Sequence, residues 1–245
     1  MTTDYNQIGA AFGETKGTSM KLYAERWMMF NALGDVSGKA VLDLACGDGD
    51  YLRAIKQLGA ARAVGVDISE KMIELARAQE AQQPLGIEYH VRNVAQLEPL
   101  GEFDIITAVY LLVYAATEEE LTNMCRAIAA NLAPGGRCIA ALTHPDVTEE
   151  HLAAAQTTGV TIVPNEPIRN GSTITITIPL PSGEIQLLNY LWTRETYERA
   201  LKASGFNTIH WHPVAVDPEG IRRFGAEYWQ AFLAHPPIAI VEFQR

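Results

Sequence analysis

Between Lys39 and Thr143 the hydrophobic pattern alternates between short apolar runs and longer segments with apolar residues at helical spacing. The run AVLDL (40–44) predicts a strand, and a helix follows from about Asp50 to Leu58. RAVGVD (62–67) predicts the second strand. Ser69 then caps a helix, SEKMIELARAQEAQ, whose inner face carries Met72, Ile73, Leu75 and Ala76. IEYHV (87–91) and FDIITAVY (103–110) are further strands, the second apolar enough to be central. A helix over Thr117 to Leu132 ends at Pro134–Gly135–Gly136, and RCIAALT (137–143) is the next strand. Alternating strands and helices require right-handed crossovers, hence an α/β, doubly wound, mostly parallel sheet.

Two regions break the alternation. Residues 1–35 read as helical, with KLYAERWMMFNAL the clearest run. Residues 144–192 contain TITITIPLPSGEIQLLNYLW, two extended runs joined by Pro181–Ser182–Gly183, which predicts a β-hairpin. A helix near Thr193–Ser204, a strand across Asn207–Val214, a helix opened by Asp217–Pro218 and a last strand, PPIAIVEF, complete the chain. With no repeat or linker, residues 1–245 read as one domain. Its parts are a helical N-terminal segment (1–35), a core (40–143), an insertion (144–192) and a C-terminal part of the sheet (193–245).

Composition narrows the class without changing the fold. The 245 residues are 48% hydrophobic and 20% charged, as in globular proteins. A net charge of −10 gives no long-range attraction for nucleic acid or an anionic membrane. Cys46, Cys125 and Cys138 lie far apart, which argues for a reducing cytoplasm and against a disulfide frame or structural zinc. The amino terminus has no basic-then-apolar leader, and no apolar run approaches membrane-spanning length. A cytoplasmic protein, monomer or homodimer, is expected.

The chemistry concentrates in VLDLACGDGDY (41–51), where Gly47 and Gly49 mark the turn from first strand to first helix. Ligands of open α/β sheets sit beyond such turns. A dinucleotide fingerprint needs a third glycine where this chain has Leu52, and no Gly-Lys-Ser/Thr tripeptide exists for a Walker loop. Asp48 and Asp50 would also repel a phosphate. Asp67, eighteen residues after Gly49, ends the second strand and can accept both hydroxyls of a ribose. A free ribose, no phosphate and a cationic group together describe S-adenosylmethionine.

VLDLACGDG, AVGVDIS, YHVRNVAQL, FDIITAVYLLVYA and LAPGGR together resemble the class I S-adenosylmethionine-dependent methyltransferases over residues 40–143. YNQIGAAF, LGDVSGK and VGVDISEKMIELAR are further similar to small-molecule methyltransferases of the toxoflavin-pathway type, which act on a nitrogen heterocycle. The resemblance implies a Rossmann-like seven-stranded sheet with its last strand antiparallel, an N-terminal helical lid and a β-hairpin insertion for substrate specificity. It implies secondary metabolism, methylation at nitrogen ahead of oxygen or carbon, and S-adenosylhomocysteine as product. It places Asp43, Ala45, Gly47 and Gly49 beside the methionine moiety, Asp67 on the ribose, and Ile68 and Met72 against the adenine. Asn93 and Val94 would meet the adenine edge, Val109 and Tyr110 would lie under the sulfonium, and Tyr5 would reach the cofactor from the lid. Two departures stand out. Ala45 replaces the family's first glycine, tolerable where backbone angles are ordinary, and Asn93 replaces an aspartate while keeping an acceptor oxygen.

For substrate, Phe12, Tyr114, Tyr190 and Trp192 are candidate pocket aromatics, because flat rings would hold a heteroaromatic and favour a nearby cation. His144, in THPD after the fifth strand, is a candidate proton acceptor, and Tyr110 a second catalytic candidate. His210 and His212 share one face of a strand and read as its wet face; no third ligand accompanies them, so no metal is expected. Two other functions remain compatible with this pattern: non-methylative use of the cofactor in cyclisation or elimination, and a non-enzymatic ligand-binding subunit. A nucleic-acid methyltransferase is disfavoured by the acidic balance and by the lack of an Asp/Asn-Pro-Pro-aromatic tetrapeptide.

Overall fold

The apolar runs predicted as strands pair side by side in the computed structural model, which describes residue 3 and residues 5–245, without the side chains of residues 8, 10 and 12. The strands are β1 (Ala40–Leu44), β2 (Arg62–Asp67), β3 (Glu88–Val91), β4 (Phe103–Val109), β5 (Leu132–Thr143), β6 (Thr161–Pro164), β7 (Thr173–Leu180), β8 (Gly183–Tyr190), β9 (Thr208–Trp211) and β10 (Ile238–Gln244). Among the described residues, seven of them form one sheet in the order β3-β2-β1-β4-β5-β10-β9. β1 to β5 are parallel, whereas β10 runs antiparallel to both its neighbours. The strand order reverses between β1 and β4, so the ligand crevice of this topology opens beyond Leu44 and Val109.

The helices are α1 (Tyr5–Phe12), α2 (Arg26–Leu33), α3 (Asp50–Gln57), α4 (Glu70–Gln82), α5 (Glu118–Asn131), α6 (Glu149–Thr157), α7 (Arg194–Ala203), α8 (Pro218–Phe224) and α9 (Ala226–Ala234). Side chains of Ser69, Thr117 and Thr193 cap α4, α5 and α7 by accepting from the backbone N–H three residues on. Buried residues form two apolar clusters. One holds Leu33, Leu52, Ile55, Ile73 and Trp229, the other Leu112, Ile128, Leu201 and Phe206. Covered on both faces, the central strands are largely apolar, which is why they read so plainly in the sequence.

Several boundaries differ from the sequence reading. The fifth strand begins at Leu132 instead of Arg137: its register jumps from Phe103↔Leu132 to Ile105↔Arg137, and Pro134–Gly135–Gly136 bulges out between. A Cβ on Gly136 would stand 2.9 Å from the carbonyl oxygens of Ala133 and Phe103, so only glycine fits this bulge. The ninth strand is only Thr208–Trp211, because Pro213 has no N–H for the ladder. KLYAERWMMFNAL is not one helix: a π-helical turn, Lys21–Glu25, precedes α2.

The expected hairpin is present, with Leu180 paired to Gly183 across Pro181–Ser182. It belongs to a second sheet, β6-β7-β8, preceded by α6, and neither α6 nor β6 was expected. Arg137 donates to the carbonyl oxygens of Ala32 (2.8 Å) and Leu33 (2.5 Å), tying α2 to the main sheet. Asn6 of α1 accepts from Ser69 Oγ at 2.8 Å and Lys71 N at 3.1 Å, docking the N-terminal helix on the start of α4.

Candidate functional site

The crevice beyond β1 and β4 continues into a cavity of about 320 Å³ with a mainly apolar wall. Its outer part is built by the β1–α3 turn and the ends of β2, β3 and β4. Its inner part is closed by the second sheet and α6.

The turn departs from ordinary backbone at three places. Ala45, Gly47 and Gly49 have φ of 62°, 56° and 83°, all left-handed. Ala45 therefore does not have the ordinary angles expected of it; a Cβ in this region costs about 1–2 kcal/mol. The two glycines do different work. A Cβ on Gly47 would meet nothing within 4 Å, and Gly47 lines the cavity. A Cβ on Gly49 would collide with the Tyr89 hydroxyl, and Gly49 does not line the cavity. Gly65, on β2, clears the same ring from the other side, with Tyr89 carbon only 2.7 Å from where its Cβ would be. The open space at Gly47 belongs to the cavity, whereas Gly49 and Gly65 make room for a tyrosine.

Asp67 is 7% exposed and splits its oxygens between the backbone N–H groups of Gly47 and Ser69, each at 2.8 Å. It thereby fixes the turn, and the residue itself lines the cavity. Burial raises its carboxyl above the usual range. Asp43, fully buried on β1, accepts from Thr107 Oγ1 at 2.6 Å; burial pushes it up to about 7, the Thr107 hydrogen bond opposing. Asp48 and Asp50, the acids that exclude a phosphate, are answered from the N-terminal segment. Lys16 Nζ lies 2.6 Å from Asp48 and 3.6 Å from Asp50, and Arg26 donates to Asp50 at 2.7 Å.

Ile68, 64% exposed, and Asn93, Val94 and Val109 also line the cavity. Asn93 Oδ1 accepts from Ala95 N at 3.0 Å, which caps the following turn and leaves a lone pair. Tyr5 and Tyr114 meet hydroxyl to hydroxyl at 2.5 Å, joining α1 to the loop after β4. Tyr110 follows β4 with φ of 57°, a strained setting for a bulky side chain. Its hydroxyl donates to Glu25 Oε2 at 2.7 Å, and Tyr51 donates to Oε1 at 2.7 Å. Both phenols are held well above their ordinary value by burial, so each stays a donor.

Besides Gly49, four predicted positions do not reach the wall. Met72 is buried on the first turn of α4. His144 packs against His151 with ring centroids 4.5 Å apart; it is half-buried, and burial pushes it down to about 4, which keeps the ring neutral at pH 7. Tyr190 and Trp192 lie on the far side of the second sheet. Residues of a strand alternate faces, and on β8 the cavity face belongs to Leu187 and Asn189. Trp192 instead donates from Nε1 to the Ala115 carbonyl at 3.0 Å. The side chain of Phe12 lies outside the described residues.

Glu25, Asn189 and Lys16 were not anticipated as site residues. For Asn189 a signal existed, the period-two run Ile185, Leu187, Asn189 on one strand face. For Glu25 there was none, since an acid in an amphipathic run reads as solvent-facing. His210 and His212 stack edge-on at 4.6 Å, far from the cavity wall, and no cluster of three potential metal ligands occurs among the described residues.

A switch-point crevice with a cavity-lining glycine at its turn, a buried carboxylate at a strand end and no phosphate loop has the form of a nucleoside site in an α/β protein. These residues fit S-adenosylmethionine: the open space at Gly47, the buried Asp67 carboxylate and the lack of a phosphate loop suit a nucleoside with a phosphate-free tail. Comparison with known proteins agrees. A family profile described as a methyltransferase domain matches residues 41–136. N-demethylindolmycin N-methyltransferase of Streptomyces griseus is 31% identical over 183 residues, covering 73% of this chain and 75% of that protein. A ubiquinone biosynthesis O-methyltransferase of Coxiella burnetii is 35% identical over 103 residues, 42% of each chain. The solved structure of an S-adenosylmethionine-dependent methyltransferase from Mesorhizobium loti superposes with a TM-score of 0.66 at 23% identity, covering 94% of this chain and all of that one. The chain belongs to the class I S-adenosylmethionine-dependent methyltransferases, and its cofactor is S-adenosylmethionine.

Proposed function

We propose that this protein, a single domain over residues 1–245, methylates a small aromatic or N-heterocyclic metabolite, most favourably at nitrogen. The observation that carries this reading is the junction of the crevice at Gly47 and Asp67 with an apolar chamber closed by Ile162, Ile176, Ile178 and Leu187. A closed apolar chamber admits a compact body and excludes a polymer. The nitrogen methyltransferase among its relatives supports the choice of atom.

In this reading Asp67 holds the ribose, Asn93, Val94 and Ile68 border the adenine, and Asp43, Ala45 and Gly47 surround the methionine tail. Tyr5 closes over the cofactor from the N-terminal lid. The bound cofactor supplies an activated methyl group for in-line displacement. The chain's task is then alignment and exclusion of water, which explains why the wall needs no catalytic dyad. Tyr110 and Tyr114 border the reacting region and hold its shape.

Incubation with methyl-labelled cofactor and a panel of aromatic heterocycles, read by mass spectrometry, tests the reading. Label on a ring or side-chain nitrogen is expected. Turnover with the methyl group retained on the cofactor would replace it with a cyclase or eliminase, and label confined to carboxyl or phenol oxygens would refute it. Asp67→Ala is expected to weaken cofactor binding by roughly 100-fold in calorimetry, the loss of two charge-assisted hydrogen bonds. Unchanged affinity would remove Asp67 from the ribose.

A further inference from the structure

Where the second sheet and α6 bound the cavity the wall is mainly apolar, and two buried side chains of the lining, Glu25 and Asn189, carry acceptor oxygens that the cofactor reading leaves unused. Glu25 is 2% exposed and lines the cavity. It stands at the end of the π-helical turn Lys21–Glu25, and such turns widen a helix locally and re-aim its side chains. Two phenols donate to it, one to each oxygen, and among the described residues it makes no ion pair. Buried charges are stable when a counter-charge accompanies them, and two neutral donors are not one. The second acceptor is Asn189 on β8, 2% exposed. Its amide nitrogen reaches Thr143 Oγ1 at 3.4 Å, while its Oδ1 is buried without a partner. Of the buried side-chain atoms lacking a partner among the described residues, only this one belongs to a cavity-lining residue.

We propose that Glu25 and Asn189 form an amine-recognition end of the substrate chamber, so that the substrate is an apolar-bodied amine entering as a cation or multiple N–H donor. This rests on the methyltransferase reading above and sharpens it. A carboxylate substrate would set its charge against Glu25, and an ether or carbonyl would leave both acceptors unfilled. Glu25 also borders the crevice, but the sulfonium charge disperses in the transition state. A carboxylate devoted to it would therefore hold the ground state and slow the step. A substrate amine that enters as a cation must first give up a proton, for which the Glu25 carboxylate is the acceptor. The freed lone pair then gains positive charge as the bond to the methyl carbon forms, which makes it the better partner.

Three probes with one indole body test this: tryptamine, tryptophol and indole-3-acetate, titrated by calorimetry at pH 7.5 into protein saturated with S-adenosylhomocysteine. Tryptamine is expected to bind at least about tenfold more tightly than tryptophol, with indole-3-acetate weakest. Glu25→Gln should bring the tryptamine-to-tryptophol ratio to about one, leaving affinity for S-adenosylhomocysteine within about twofold. Glu25→Asp should restore part of the preference. Asn189→Leu, which leaves the Tyr–Glu cluster intact, should cost tryptamine about tenfold and tryptophol less. Equal binding of the three probes by wild type, or no tryptamine binding, overturns the proposal. So does a Glu25→Gln variant that loses S-adenosylhomocysteine while keeping amine preference. Failure of wild type to bind S-adenosylhomocysteine would instead remove the methyltransferase reading beneath it.

Discussion

At Ala45 a single methyl group is held where glycine is comfortable. Its φ of 62° was not legible in VLDLACGDG, because the sequence shows which residue is present and not which angles its neighbours impose. The angle follows from the turn around it, where Asp67 pins the Gly47 N–H and Cys46 N donates to Val66. Ala45→Gly is therefore expected to stabilise the protein by about 0.5–1 kcal/mol, the relief of left-handed strain less the added freedom of the unfolded chain. Urea denaturation measures it, and a destabilised variant would contradict the strain. The same gap between type and setting explains the aromatics. Their rings make Tyr190 and Trp192 pocket candidates in the sequence, whereas strand parity on β8 gives the chamber Leu187 and Asn189.

Elements with strong periodicity were read correctly because burial on both faces leaves them little compositional freedom. The insertion was less legible. EEHLAAAQT is short and rich in alanine, so α6 carries little pattern, and β6 is a four-residue edge strand. The N-terminal segment shows how elements cooperate at the site. Lys16 and Arg26 meet the acids of the β1–α3 turn, so attachment of this segment depends on charge pairs that are only partly buried. Such pairs contribute about 0–1 kcal/mol each and weaken with salt. Lys16→Ala should speed S-adenosylhomocysteine dissociation about two- to fivefold with little change in melting temperature, consistent with that range. In stopped flow, raising salt from about 50 to 500 mM, which shortens screening lengths severalfold, should accelerate release from wild type more than from the variant. Equal salt dependence would exclude the pairs as a restraint.

Across the whole molecule, buried ionisable groups couple stability to pH. Asp43, raised to about 7 by burial, binds its proton more tightly folded than unfolded. Its contribution is fully present below the ordinary carboxylate value and is lost as pH rises through about 7. His144, pushed down to about 4, works oppositely: its contribution is complete above its ordinary 6.5 and is lost on acidification. The difference between wild type and Asp43→Asn isolates the first effect. In the cofactor-free protein, wild type should lose stability relative to the variant between pH 5 and 7 and run parallel above pH 8. Parallel curves throughout would place the Asp43 carboxyl in the ordinary range.

The division of labour between the two glycines of the turn bears on how evolutionary traces of this fold should be interpreted. Gly49 is demanded by the Tyr89 ring and by its own left-handed backbone, neither of which depends on a cofactor. A descendant that had lost catalysis would keep Gly49 as long as it kept its sheet, and motif searches would still score it as an enzyme. Gly47 is different, because the room beside it is empty of protein. A bulkier residue there would reach into the crevice while leaving the aromatic packing at Gly49 untouched. Within this lineage, position 47 is where a pseudoenzyme would first betray itself.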